Sequence, residues 1–83
     1  MRVQVLYFSW VREKVGLPKE TIDTEAKTVA DLILELCLKD ERYKLAFSSL
    51  DVIRVALDQE LADLSSSMEA VKEVAFFPPM TGG

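Results

Sequence analysis

An α+β fold, with one main helix packed on a mixed sheet of four to five strands, follows from three observations on this chain of 83 residues. Strand-favouring runs open and close it: Val3-Gln4-Val5-Leu6-Tyr7-Phe8 near the start and Val74-Ala75-Phe76-Phe77 near the end. Between them, Val29, Leu32, Ile33, Leu36 and Cys37 recur at i, i+3, i+4, i+7 and i+8, which draws one apolar stripe along a helix. The resulting order is strand, strand, helix, then two or three strands, so the helix has a sheet to cover. The length fits one domain with a single modest core.

Residues 2–8 form the first predicted strand, with Val3, Val5 and Tyr7 on one face. Leu6 and Phe8 make the other face apolar too, which suits a central strand or one that meets a partner at its end. Residues 9–15 suit a helical turn closed by Gly16 and Pro18, with Arg12-Glu13-Lys14 as exposed charge. Residues 19–24 read as a polar edge strand returning antiparallel to the first, its charges discouraging further pairing. The main helix is expected from about Val29 to Leu38, where Thr28 and Asp31 resemble a capping box. That stripe makes Cys37 a core filler rather than a reactive thiol. Tyr43, Ala46, Phe47 and Leu50 repeat helical spacing and predict a short helix near 41–49. Residues 52–57 alternate, with Ile53, Val55 and Leu57 opposed to Arg54, and Asp58-Gln59-Glu60 turns the chain back through Leu61. A loop over 62–71 leads to a last strand over 72–77. This order describes a β-grasp, in which first and last strands lie side by side.

Composition removes whole classes of chemistry. The net charge is −4 with no basic cluster, so nucleic acid is not an expected partner. There is no histidine, and with it go Ser-His triads, histidine acid–base catalysis and histidine metal sites. One cysteine allows no internal disulfide and no cysteine-rich zinc site, which suits a reducing cytoplasm. No signal peptide is evident, and no apolar run approaches the ~20 residues of a membrane helix, so no membrane is expected. The paired acids Asp40-Glu41, Asp58 with Glu60 and Glu69 with Glu73 all fall in predicted turns or at element ends, where solvated carboxylates are ordinary. Three glycines and no Gly-x-x-x-x-Gly-Lys leave no phosphate-cradling loop.

What remains is the C-terminus. Pro78 and Pro79 have no N–H to donate, so a central sheet cannot continue through them. The expected division is a domain over 1–79 and a flexible tail over 80–83, comprising Met80, Thr81, Gly82 and Gly83. At ~3.3–3.6 Å per residue, four residues reach on the order of 13–14 Å. A frayed end or a cloning remnant is the plain alternative. A terminal glycine carboxylate is ionised at neutral pH and leaves little bulk beside the reacting carbon, so it can enter a narrow channel. It resists nucleophiles until activated, and adenylation by ATP would supply AMP as leaving group. Sulfide attack on the acyl adenylate would give a thiocarboxylate, and amine attack an isopeptide bond. The chain has no apparatus for either route, so a separate ATP-using enzyme is implied.

Val5-Leu6-Tyr7-Phe8 followed by Val11-Arg12-Glu13, then Asp58-Gln59-Glu60-Leu61, then Glu73-Val74-Ala75-Phe76-Phe77-Pro78-Pro79-Met80-Thr81-Gly82-Gly83, resemble the family of small subunits of molybdopterin synthase. The C-terminal block is the most specific part. The resemblance implies a ubiquitin-like β-grasp and a sulfur-carrier role. It makes Gly83 the residue that an ATP-dependent adenylating enzyme activates and a sulfurtransferase converts to a thiocarboxylate, with Gly82 beside it. Residues 80–83 would enter the large subunit, within a heterotetramer in the family, and pass sulfur to cyclic pyranopterin monophosphate to build the molybdopterin dithiolene. No cofactor would be bound by the chain itself; ATP would belong to the activating enzyme. The implied docking positions are Phe8, Leu61, Phe77, Pro78, Pro79, Met80 and Thr81. Two departures stand out: Val71-Lys72 replaces the Gly-Asp usual before the last strand, and Asp58 stands where Asn is common. Alternatives are a sulfur carrier for thiamin or tRNA thiolation, a protein modifier forming isopeptide bonds through Gly83, or a passive interaction domain.

Overall fold

The computed structural model describes residues 1–79. The predicted tail, residues 80–83, lies outside the described residues. The elements are β1 (Arg2–Tyr7), α1 (Ser9–Val15), β2 (Lys19–Asp23), α2 (Val29–Lys39), α3 (Glu41–Ala46), a 3-10 turn (Leu50–Val52), β3 (Arg54–Leu57), β4 (Glu60–Ala62) and β5 (Glu73–Phe77). The strands form one mixed sheet in the order β2-β1-β5-β3-β4. β1 and β5 pair in parallel, from Gln4 opposite Glu73 to Tyr7 opposite Phe76, so first and last strands do lie side by side. β2 returns antiparallel along the far edge of β1, as the sequence predicts. The arrangement is an α+β, ubiquitin-like β-grasp.

The helices cover one face. Val3, Val5 and Tyr7 of β1, Val74 and Phe76 of β5 and Val55 of β3 point into it and are buried. Against them pack Val11 and Val15 of α1, the α2 stripe of Val29, Leu32, Ile33 and Leu36, and Tyr43 and Ala46 of α3. Phe47 meets Phe76 edge-on with ring centroids 4.9 Å apart, and Tyr7 stacks on Phe76 at 6.2 Å. The sheet positions follow from alternation and the α2 positions from the 3.6-residue period, so the core is a direct product of the pattern.

Local chemistry sets the ends. The Thr28 hydroxyl accepts from the Asp31 N–H at 3.2 Å and starts α2, and Asp40 accepts from the Arg42 N–H at 3.0 Å and starts α3. Gly16, at φ 95°, ends α1 in a left-handed conformation that favours glycine, its N–H reaching the Arg12 carbonyl at 2.8 Å. Asp58 and Gln59 form a two-residue hairpin turn between Leu57 and Glu60 with φ 49° and 73°, the positive pair that such turns need. One Asp58 carboxylate oxygen also accepts from the Lys72 and Glu73 N–H groups, at 3.1 and 2.9 Å. An acid at this turn thus braces the start of β5. That explains how Val71-Lys72 serves before the last strand, with Ala70 taking the positive φ (63°).

Several boundaries differ from the sequence reading. β1 stops at Tyr7 because Phe8 becomes the extended residue preceding α1. The predicted turn at 9–15 is a full seven-residue helix. The strand expected over 52–57 begins only at Arg54, since the 3-10 turn occupies the residues before it.

Beneath the edge strand sits a polar lock. Glu20 pairs with Val5, which puts it on the helix-covered face. One of its carboxylate oxygens accepts from the Tyr7 hydroxyl at 2.8 Å and from the Tyr43 hydroxyl at 2.5 Å, tying β1, β2 and α3 together. Burial and the adjacent carboxylate hold both phenols in their protonated form: Tyr43 is pushed up to about 12 and Tyr7 is raised as well.

Candidate functional site

The opposite face of the sheet carries no helix among the described residues. Alternation along β5 sends Ala75 and Phe77 to this side. The registers then align Leu6, Ala75, Ala56 and Leu61 in one row across β1, β5, β3 and β4, and set Phe77 opposite Arg54. The Phe8 N–H donates to the Phe76 carbonyl at 3.1 Å, which carries the parallel ladder one step past β1 and places Phe8 at the C-terminal end of β5. Ser9, at φ 54°, then turns the chain sharply into α1 and brings Trp10 alongside.

These residues enclose a groove of about 820 Å³, lined by Phe8, Trp10, Val52, Phe77, Pro78 and Pro79 over Ser9 and Ala75. Its walls are mainly apolar, and Pro78 and Pro79 stand at its edge, where β5 ends. Phe8 is 46% exposed and sits with other apolar side chains at the groove, whereas Leu61, 79% exposed, stands apart from them. Of the residues singled out in the sequence, Phe8, Phe77, Pro78 and Pro79 meet at the groove. Leu61 shares their side of the sheet but lies two strands from β5, about 10 Å away at ordinary strand spacing. Met80, Thr81, Gly82 and Gly83 lie outside the described residues.

Trp10 and Val52 were not anticipated. Trp10 was hidden by its neighbours, because Arg12-Glu13-Lys14 marks the segment as an exposed charged turn. The available signal was its place two residues after Phe8 in a chain with one tryptophan.

The acids have structural explanations where the geometry gives one: Asp40 caps α3, Glu41 pairs with Lys44 at 3.5 Å, and Asp58 braces β5. Among the described residues no cluster of acids and cysteine could hold a metal ion. Cys37 is half-buried against the core, and burial pushes its thiol pKa up, away from the reactive thiolate. No helix of the described residues is long and apolar enough to cross a membrane. What the site offers is an apolar seat at the root of the chain's end.

The ThiS family model matches residues 5–83. The chain belongs to the ThiS family. Its similarity to other proteins extends over essentially the whole length. It is 33% identical to the molybdopterin synthase sulfur carrier subunit of Escherichia coli and 32% identical to that of Haemophilus influenzae, in each case over 98% of this chain and 99% of the relative. Among solved structures, SAMP1 of Haloferax volcanii superimposes with a TM-score of 0.73 at 26% identity, with both chains fully covered. A protein–protein complex of subunits 1 and 2 of the molybdopterin-converting factor from Helicobacter pylori contains a chain matching with a TM-score of 0.65 at 25% identity, again with both chains fully covered. This ThiS family chain therefore shares fold and length with proteins named as sulfur carriers and with one named as a protein modifier.

Proposed function

We propose that the chain is the sulfur carrier subunit of a molybdopterin synthase, with Gly83 as the group that carries sulfur. The observation that supports this best is the route of β5: the central strand delivers Pro78 and Pro79 to the rim of an apolar groove, with Gly82 and Gly83 three and four residues beyond Pro79. The names of its full-length relatives point the same way. The Gly83 carboxylate oxygen attacks the α-phosphorus of ATP within a separate adenylating enzyme, and pyrophosphate leaves. A persulfide sulfur supplied by a sulfurtransferase then attacks the acyl carbon and AMP departs with the bonding electron pair; a second thiol attacks the sulfurtransferase sulfur of the resulting acyl disulfide, forming a disulfide and releasing the thiocarboxylate. That sulfur is passed to cyclic pyranopterin monophosphate inside the large subunit, and hydrolysis returns Gly83 to a carboxylate. The scaffold supplies no acid, base or metal to these steps. It presents the tail and a docking face, in the cytoplasm, and is inactive without its partners.

Incubation with the adenylating enzyme, ATP and a sulfur donor should give an intact chain whose mass reflects one exchange of oxygen for sulfur at Gly83. Removal of Gly83 should abolish both this species and dithiolene formation on the pterin. An intact, folded chain that never acquires sulfur would sink the reading.

The likeness to SAMP1, whose name includes small archaeal modifier protein, favours one second reading: Gly83 joined to lysines through isopeptide bonds. High-mass conjugates that survive denaturation in cell extract would support it. Their absence beside an abundant thiocarboxylate would leave sulfur transfer as the role.

A further inference from the structure

Trp10 lies on the groove wall beside Phe8, Phe77 and the two prolines, half-buried, with its ring partly packed on the core. Among the described residues no side chain or carbonyl accepts from its indole N–H, and no polar side-chain atom there is buried without a partner. The N–H is thus an accessible donor on an otherwise apolar wall. Ser9, between the two aromatic residues, holds a left-handed φ of 54° that a non-glycine residue adopts at a cost. Through this turn Phe8 and Trp10 both reach the lining of the groove.

Reach decides what covers it. Pro79 stands on the groove rim, and four residues follow it, spanning at most about 14 Å. Any site that Gly83 enters therefore lies within that distance of Pro79, so the protein that receives it docks close to the groove.

We propose that Trp10 is a specificity-determining contact for the sulfur-accepting large subunit. The partner places an apolar side chain in the groove and a backbone carbonyl against the indole N–H. The inference rests on the sulfur-carrier reading and extends it to a residue that the family resemblance does not implicate. Tryptophan suits the task, since it joins a large buried area to one directional donor and few rotamers.

Because the chain has a single tryptophan, 5-fluorotryptophan labelling gives one ¹⁹F resonance that reports on the groove. Addition of the cognate large subunit should shift that resonance. Trp10→Ala should weaken the complex about thirty-fold or more, as for a binding hot spot. Trp10→Phe, which keeps the apolar fill and loses the donor, should weaken it about five-fold. In both variants sulfur loading at Gly83 by the adenylating enzyme should fall less than affinity for the large subunit. A resonance unmoved in a formed complex, or wild-type affinity in Trp10→Ala, overturns the proposal. So does a defect confined to the adenylation step, which would assign the groove to the activating enzyme. If Trp10→Ala fails to fold, the phenylalanine variant and the ¹⁹F shift decide. A wild-type chain that never acquires sulfur removes the carrier reading itself, an outcome distinct from normal sulfur loading and docking with Trp10 uninvolved.

Discussion

Phe76 and Phe77 are adjacent in sequence and belong to opposite halves of the molecule. Phe76 enters the helix-covered face, fully buried between Tyr7 and Phe47, while Phe77 turns out onto the groove wall. One face is closed by three helices and a carboxylate shared between two phenols. The other stays open and apolar along Leu6, Ala75, Ala56 and Leu61. The difference separates stability from recognition within a single strand: the inward residues hold the sheet together, and the outward ones are available to another protein.

Exchanging these neighbours for alanine tests the division most sharply. Phe76→Ala removes an aromatic ring from the centre of the core and should cost about 4 kcal/mol, read as a large fall in the denaturation midpoint. Phe77→Ala should change stability by about 1 kcal/mol or less while weakening association with the large subunit. Equal losses of stability in the two variants would erase the distinction between the faces. Next in size is the polar lock. Glu20→Ala strands two buried hydroxyls and should cost about 3 kcal/mol in urea unfolding, with docking unchanged in the folded fraction.

The same lock predicts an alkaline weakness. Free tyrosine loses its proton near pH ~10, whereas burial and Glu20 hold the proton on Tyr43 up to about 12 and on Tyr7 also beyond the ordinary value. Above about pH 10 the unfolded chain therefore binds fewer protons than the folded one. This contribution is intact below that pH and is lost progressively as pH rises toward the folded values. Urea midpoints at pH 9 and pH 11 should show the fall, and Tyr43→Phe should flatten it. The smallest effect is expected at the β3–β4 turn, where Gln59→Gly relieves a positive φ and should raise stability by about 0.5–1 kcal/mol.

The helix-covered face was legible in the sequence because periodicity writes it directly. Val29, Leu32, Ile33 and Leu36 repeat at helical spacing, and Val3, Val5 and Tyr7 at strand spacing. Side-by-side placement of the first and last strands followed from element order. Glu20 escaped notice because it looked like one more charge on an edge strand. Yet Ile22, two residues away, is core-facing, and period two requires Glu20 to face inward as well. Its two phenol partners come from β1 and α3, a convergence that no local pattern encodes. The groove was half legible: Phe8, Phe77, Pro78 and Pro79 were marked by the family resemblance, whereas Trp10 and Val52 reach it through the Ser9 turn and the 3-10 turn before β3. Leu61 was named from the family resemblance, and its distance from the groove follows from a strand order that pairs β3 rather than β4 with β5.

β5 is hydrogen-bonded along both edges, to β1 in parallel and to β3 antiparallel, and runs straight into the prolines before the last four residues. A pull on the C-terminus is directed along this strand, so it loads two ladders in shear rather than peeling bonds one after another. Tension applied beyond Pro79 is thereby spread over the middle of the sheet rather than concentrated on one edge strand.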